Sequence, residues 1–159
     1  MFNENQRLTK NLHEKFMFQA FKLAEKAYSE KEVPVGAVVV HENRIIGKGY
    51  NQVELLNDPT AHAEMLAITA ACANLEQKYL QNCTLYVTLE PCPMCSGAIV
   101  WSKLKRVVFG AMDEKAGGCG SRFNITANNS LNHRVEIIQG IMEADCQHLL
   151  KQFFDSKRD

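Results

Sequence analysis

The sequence has no long apolar run and no excess of charge of either sign. None of its apolar stretches approaches the roughly 18 residues of a membrane-spanning helix, and residues 1–5 lack the basic-then-apolar order of a secretory signal. Lysine plus arginine number 18, as do aspartate plus glutamate, so bulk charge argues neither for nor against a polyanionic partner. We therefore expect a cytoplasmic protein without a membrane segment, in which any polyanionic partner would be bound by a local basic surface.

Internal repeats, low-complexity tracts and linker-like composition are also lacking. The apolar fraction of 46% and the charged fraction of 23% are typical of soluble globular proteins, which argues against disorder and fibrous structure. A chain of 159 residues can bury a substantial core without disulfides. We predict that residues 1–159 form a single domain.

Closely spaced cysteines are scarce. In a reducing compartment the six cysteines are expected to be thiols, not a disulfide framework. Cys92 and Cys95 are close enough in sequence to suggest metal or redox chemistry. The other four are scattered and are predicted to be small core or loop residues without chemistry: Cys72, Cys83, Cys119 and Cys146.

Hydrophobic periodicity divides the first third of the chain into a helix and two strands. From Phe16 to Tyr28 apolar residues recur every three to four positions, which predicts an amphipathic helix that ends before Pro34. Two extended stretches follow, Val35 to Val40 and Arg44 to Tyr50. The intervening Glu42-Asn43 is typical of a turn, so we predict a hairpin.

Helices and strands are predicted to alternate over the rest of the chain. The predicted helices run from near Thr60–His62 to Leu75, from Pro91 to Trp101 and from Glu143 to Phe154, and the strands from Thr84 to Leu89, Arg106 to Gly110 and Val135 to Ile138. This order predicts a three-layer α/β/α fold with a mixed sheet, in which the first two strands are antiparallel and the later ones, joined by helical crossovers, are parallel. Residues 117–130 form a long irregular segment, which often carries function.

Two short motifs carry the candidate chemistry. Cys92 and Cys95 follow a strand and open a helix, so both sulfurs can face one point, and the positive end of the helix favours thiolates. Together with His62 they make two thiolates and one imidazole. This set holds zinc with a fourth position left for water, which is the catalytic pattern.

The spacing of His62 and Glu64 constrains where the helix begins. In a regular helix residues two apart point roughly 200° away from each other, so both cannot face one metal. They converge if His62 precedes the first helical residue, which agrees with the start signal at Pro59-Thr60. We therefore predict that His62 and Glu64 lie at a helix N-terminus.

Glu64 completes a set of groups suited to hydrolytic deamination. Two thiolates and a neutral imidazole leave the zinc centre near zero net charge, so its water is less acidified than at an all-imidazole site and needs a base. Glu64 can accept the water proton and later protonate the departing amine. Taken alone, the cysteine pair also fits a redox pair or half of a structural zinc knuckle, but a redox pair gives Glu64 no role.

The motifs resemble those of a known family. His62-x-Glu64 with Pro91-Cys92-x-x-Cys95 is similar to the signature of the cytidine deaminase superfamily. Longer stretches, from about Phe16 to Phe154, resemble bacterial tRNA-specific adenosine deaminases, and the residues that carry this likeness are Val33–Ala37, Asp58–Glu64, Thr84–Gly97, Arg106–Ala111 and Asn132-His133-Arg134. The segment Gly117 to Asn129 departs from that pattern.

The resemblance implies a fold, a reaction and partners. It implies a cytidine deaminase-like fold with a five-stranded sheet between helices, a homodimer whose partner subunit helps to form the site, and conversion of wobble adenosine to inosine in a tRNA anticodon loop. It assigns one Zn²⁺ per subunit to His62, Cys92 and Cys95, and proton transfer to Glu64. Asn51 matches a residue that contacts the flipped base, and Asn132 a residue near the RNA, although turn chemistry explains either asparagine as well.

Other residues are candidates for the RNA path, and two other functions stay open. Phe153-Phe154 can stack on a base or pack in the last helix, and basic residues can line a phosphate path or be solvated surface: Lys103, Lys105, Arg106, Arg122, Arg134, Lys151, Lys157 and Arg158. One alternative is a deaminase of a free base or nucleoside such as guanine or cytosine. The other is a non-catalytic, zinc-stabilised RNA-binding subunit, against which an intact Glu64 argues.

Overall fold

The computed structural model describes residues 1–158. An N-terminal helix and a β-hairpin precede alternating helices and strands, in the predicted order. The helices are α1 (Glu4–Ser29), α2 (Val53–Leu56), α3 (Ala63–Leu75), α4 (Pro93–Trp101) and α5 (Glu143–Lys157), and the strands are β1 (Gly36–His41), β2 (Arg44–Tyr50), β3 (Thr84–Leu89), β4 (Arg106–Ala111) and β5 (Glu136–Gln139).

Within the described residues the five strands form one mixed sheet in the order β2-β1-β3-β4-β5. β1 pairs antiparallel with β2 and with β3, whereas β3–β4 and β4–β5 are parallel pairs. Helices α1 and α5 contact each other on one face of the sheet, and α3 contacts α4 on the other. The predicted three-layer α/β/α fold with a mixed sheet is therefore confirmed.

Strand residues alternate between two cores because successive side chains point to opposite faces of a sheet. On the α3 face, Ala37 and Val39 pack with Ala67. On the α1 face, Val38 packs with Met17. Both sides of the sheet are thus covered, which explains why β1 is an almost uninterrupted apolar run.

The first helix is longer than its apolar periodicity predicts. It begins at Glu4 instead of near Phe16, because Asn3 and Gln6 form a capping box: the Gln6 amide donates to Asn3 Oδ1 at 2.9 Å, and the Asn3 amide donates to Gln6 Oε1 at 3.0 Å. Residues 1–12 are exposed. The first turns therefore have no buried face, and the periodic signal that predicts the helix starts only where packing starts.

The expectation that helical crossovers join the later strands is wrong for β4 and β5, whereas the irregular segment predicted at residues 117–130 is confirmed. Helix α4 joins β3 to β4, but the connection from β4 to β5 is irregular and carries only an isolated bridge between Cys119 and Asn124. It is packed all the same, since Ile125 lies against the core and the Val135 amide donates to the Thr126 carbonyl at 3.0 Å. Packing and scattered backbone hydrogen bonds thus hold this connection in place of the regular hydrogen bonds of a helix.

Smaller differences concern element boundaries. β5 starts and ends one residue later than predicted, and α5 extends to Lys157. The four-residue α2 was not predicted, because it is too short for a periodic pattern. Glu42 and Asn43 both have positive φ, at 49° and 62°, as a tight hairpin turn requires. Within residues 1–158, none of the helices has the length and apolarity needed to cross a membrane.

Close packing of α3 on β2 fixes the position of the site. A Cβ atom at Gly47 or Gly49 would collide with the backbone carbonyls of Ala67 and Ala63. Because these glycines have no side chain, the alanine-rich helix lies directly on the strand. The N-terminus of α3, which carries His62, is thereby held against the sheet.

Candidate active site and metal centre

Two helix N-termini meet at the carboxyl end of β3. His62 is the N-cap residue of α3, with extended φ/ψ of −74° and 153°. Cys92 is the N-cap residue of α4, with φ/ψ of −70° and 173°, and Pro93 follows it in the first turn. The predicted helix boundary at His62 is confirmed, and it lets His62 and Glu64 lie on one side of the helix start.

His62, Cys92 and Cys95 form a compact group of metal-ligating atoms. His62 Nδ1 lies 3.6 Å from Cys92 Sγ and 3.5 Å from Cys95 Sγ. Zinc bonds of about 2.3 Å to sulfur and 2.0 Å to nitrogen at tetrahedral angles place such atoms about 3.5 Å apart. The distances from His62 Nδ1 to both sulfurs therefore suit one shared Zn²⁺ ion.

The group has three members among residues 1–158, with ligand atoms within 4.8 Å of one another. A structural zinc site has four protein ligands, whereas a catalytic site has three and keeps one position for water or substrate. Sulfur and imidazole donors also favour zinc over hard cations. The donor set is therefore that of a catalytic zinc centre.

The cysteine pair is prepared to bind a cation. Hydrogen bonds from Cys95 and His62 lower the pKa of Cys92 to about 4, so Cys92 is a thiolate at neutral pH. The hydrogen bond to Cys92 and burial raise the pKa of Cys95. In the absence of a cation the pair thus shares a proton, which metal binding releases.

Glu64 is a buried carboxyl beside this group. It is in the first turn of α3 and only 4% exposed. Burial raises the pKa of Glu64 above its ordinary value. A carboxyl with a raised pKa holds a proton more readily than an exposed one, which suits a group that must both accept and return a proton in general acid/base catalysis.

A cleft of about 970 Å³ opens over these residues. It is lined by His62, Glu64 and Cys92, and from other elements by Asn51 and Phe153. Asn51 is only 7% exposed, and among the described residues its Oδ1 atom is buried without a hydrogen-bond partner. A buried polar atom without a partner at the wall of a cleft is available for a ligand.

Two buried carboxylates that line the cleft, Glu32 and Glu90, belong to no motif in the sequence. Glu32 accepts hydrogen bonds from the backbone amides of Glu54 and Leu55, both at 2.9 Å. Glu90 accepts several from residues 113–121. Their donors are backbone amides more than 20 positions away, so the only sequence signal was an acidic residue beside an apolar strand.

Some of the residues predicted to contact RNA line the cleft, and others lie away from it. Phe153, Phe154 and Lys157 line the cleft, and Arg158 lines a neighbouring one. By contrast, Arg106 at the amino end of β4 bonds Glu136 at 2.9 Å. Asn132 is exposed and does not line the cleft. Its neighbour His133 contacts the Leu104 carbonyl at 2.7 Å, at the opposite end of the sheet.

Comparisons with known proteins give the family. The sequence model of the cytidine and deoxycytidylate deaminase zinc-binding region matches residues 10–111. The tRNA-specific adenosine deaminase of Aquifex aeolicus (strain VF5) is 51% identical over 146 residues, which are 92% of this chain and 96% of that protein.

Two solved structures are also similar. One, from studies of A-to-I editing by tRNA:A34 deaminases at the wobble position of transfer RNA, has a TM-score of 0.82 and 38% identity and covers 85% of this chain and 98% of that chain. Guanine deaminase from Bacillus subtilis has a TM-score of 0.60 and 45% identity, over 63% of this chain and 64% of that chain. The chain therefore belongs to the zinc-dependent cytidine and deoxycytidylate deaminase family, as a relative of its tRNA-specific adenosine deaminases.

Proposed function

We propose that this protein hydrolytically deaminates adenosine to inosine at the wobble position of a tRNA anticodon loop. The observation that carries the proposal is the buried Glu64 carboxyl beside a three-member zinc ligand group, at the wall of an open cleft. The substrate rests on the relatives, since similarity to tRNA-specific adenosine deaminases extends over 92% of the chain.

Metal binding and proton transfer are assigned to different residues. His62, Cys92 and Cys95 would hold zinc, which when bound supplies activation of a water molecule as the nucleophile. Glu64 accepts one proton of that water and delivers it to a ring nitrogen of the base as the water oxygen bonds to the ring carbon. Glu64 then takes the remaining proton of the added hydroxyl and passes it to the amine, which leaves as ammonia when the C–N bond breaks and the carbonyl forms. Burial raises the pKa of Glu64 above its ordinary value, which favours the protonated form that returns the proton.

We infer that Asn51 orients the substrate base. A base inside a duplex cannot reach such a site, so the target nucleotide is extruded from a single-stranded loop into the cleft. The buried Asn51 Oδ1 has no partner among the described residues, and the exocyclic amine of adenine is a hydrogen-bond donor. Phe154 and Lys157, also at the cleft, can stack on a neighbouring base and contact its phosphate.

The single deaminase domain is proposed to act in the cytoplasm as a homodimer. Asn132 lies near the amino ends of the strands, because His133 is tied to Leu104, whereas Cys92 follows the carboxyl end of β3. A contact between Asn132 and RNA is thus expected at a cleft other than its own, which supports a site completed by a partner subunit.

Deamination of free guanine is the second candidate. It is favoured by the 45% identity to guanine deaminase from Bacillus subtilis, but this likeness covers 63% of the chain. The metal centre and Glu64 would act in the same way on either base. The extent of similarity therefore favours the RNA substrate.

Substrate identity can be tested directly with the zinc-loaded protein. We expect inosine, detected by mass, in an adenosine-containing anticodon stem-loop, and no ammonia from free adenosine, cytosine or guanine. A stem-loop with guanosine at the wobble position is the matched control. If free guanine releases ammonia and the stem-loop stays unmodified, the substrate is guanine and not tRNA, although the deaminase chemistry is the same.

Replacing Asn51 with alanine tests substrate orientation. We expect Asn51→Ala to lower kcat/KM for the stem-loop by about 10- to 100-fold, because a buried hydrogen bond to the base is lost. Zinc content should not change, since Asn51 is not a ligand. Steady-state kinetics on the stem-loop measure the effect, with Asn11→Ala, an exposed change on α1, as control. An Asn51→Ala enzyme as fast as wild type would contradict this role.

A further inference from the structure

Glu90 is a buried acidic residue that is neither a zinc ligand nor the proton-transfer group of the proposed function. It is 2% exposed and follows the last residue of β3. Its Oε1 accepts from the Asp113 amide at 3.1 Å, and its Oε2 accepts from the amides of Cys119 and Ser121, each at 3.1 Å. The Ser121 hydroxyl donates a further, short hydrogen bond to Oε1. One carboxylate therefore gathers four donors from a nine-residue segment.

The gathered segment, residues 113–121, is packed around the turn that leads to the metal ligand Cys92. A Cβ atom at Gly117 would collide with the Glu90 carboxylate, and one at Gly118 would collide with Ser96 Oγ. The Gly118 amide also donates to the Pro91 carbonyl at 2.7 Å. Both glycines thus permit close approach of the segment to Glu90-Pro91-Cys92.

The same turn is held from its other side by α4. The Ser96 amide donates to the Cys92 carbonyl at 2.8 Å, and Ser96 Oγ donates to the Pro91 carbonyl at 3.3 Å. The backbone that carries the Cys92 thiol is therefore fixed between α4 and the 113–121 segment. Glu90 makes the largest set of contacts on the segment side.

We propose that Glu90 is a positioning residue for the metal centre. Through its hydrogen bonds to the 113–121 segment it holds the Pro91-Cys92 backbone, and so orients the Cys92 thiol toward His62 and Cys95. Asp113 and Ala116 of the same segment line the cleft. The Glu90 carboxylate therefore positions both the ligand Cys92 and one wall of the cleft. The proposal rests on the zinc site of the proposed function.

The chemistry of the side chain explains why a carboxylate stands here. Its two oxygens together offer about four acceptor sites and no donor, which matches three amides and one hydroxyl. Glutamine has the same shape, but its NH₂ group would face an N–H donor on one side. Glu90→Gln therefore breaks part of the network without removing volume.

The test measures metal binding, which needs no RNA. We expect Glu90→Gln to weaken zinc binding by about 10- to 100-fold in competition with a chromophoric chelator, as supporting residues of metal sites do. With Co²⁺ in place of zinc, we also expect altered ligand-field and thiolate charge-transfer bands. Ser121→Ala, which removes one of the four donors, should change both quantities in the same direction but less.

Glu32→Gln is the matched control. Glu32 is also a buried carboxylate, 1% exposed, but its hydrogen bonds hold α2, so we expect lower stability in urea with unchanged zinc affinity and Co²⁺ spectrum. Zinc affinity of Glu90→Gln within about twofold of wild type, with an unchanged spectrum, overturns the proposal. If Glu90→Gln does not fold, an unchanged spectrum and affinity in Ser121→Ala overturns it. Wild-type protein that binds no zinc would instead refute the proposed function.

Discussion

Glu64→Ala is expected to lose turnover while it keeps its fold and its zinc. General acid/base catalysis contributes about 10² to 10⁴ in rate, and Glu64 is the acid/base group that lies beside the ligand triad at the cleft. We therefore expect kcat to fall by at least about 10²-fold on the anticodon stem-loop. Zinc content should stay at one ion per chain, because Glu64 is not a member of the ligand group.

Unfolding in urea shows whether a Glu64 variant loses activity because it loses the catalytic group or because it is less stable. Burial disfavours the charged form of Glu64 and raises its pKa, so removing the carboxyl removes a desolvation cost. The isosteric Glu64→Gln should therefore unfold in urea at the same or a higher midpoint than wild type, yet be equally inactive. Glu25→Gln, an exposed change on α1, should leave both activity and stability unchanged. Turnover of Glu64→Ala within a few-fold of wild type would contradict the mechanism and favour a non-catalytic zinc protein.

The core of the site was predictable because its signals are local. A few neighbouring residues, such as Pro59 and Pro93, indicate where the two helices start. The sequence therefore shows that the cysteine pair and the histidine lie at helix N-termini. Strand ends in an α/β sheet then bring such helix starts to one edge. Local geometry and fold class together predicted the approach of His62 to Cys92 and Cys95.

The parts that could not be predicted depend on distant or unpatterned contacts. Glu90 bonds to backbone amides of the 113–121 segment, which any residue except proline offers, so no side-chain pattern marks it. The β4–β5 connection is held by packing of Ile125 and by the Thr126–Val135 hydrogen bond instead of a periodic face. The first turns of α1 are exposed and depend on the Asn3 cap, which lies outside any amphipathic period.

Replacement of a ligand is expected to remove both zinc and turnover. In Cys92→Ser a hydroxyl replaces a thiolate whose pKa is lowered to about 4, and a serine hydroxyl stays protonated and binds zinc poorly. His62→Ala removes the nitrogen that lies 3.5–3.6 Å from both sulfurs. We expect zinc affinity to fall by at least about 100-fold in either variant, measured by chelator competition, and turnover to disappear with the metal.

Stability distinguishes loss of a bound ion from general misfolding. Zinc that binds only the folded chain raises its unfolding free energy by RT ln(1 + [Zn²⁺]/Kd), so wild-type protein should unfold at lower urea once a chelator is added. Cys92→Ser should unfold at the same midpoint with or without chelator. Cys72→Ser is the matched control, because Cys72 lies outside the ligand group and donates only to the Lys78 carbonyl at 3.8 Å, and it should respond to chelator as wild type does. If Cys92→Ser retains zinc and its unfolding midpoint still falls on addition of chelator, Cys92 is not a ligand. If Cys92→Ser loses zinc and Glu64→Ala retains it, metal binding and proton transfer belong to different residues.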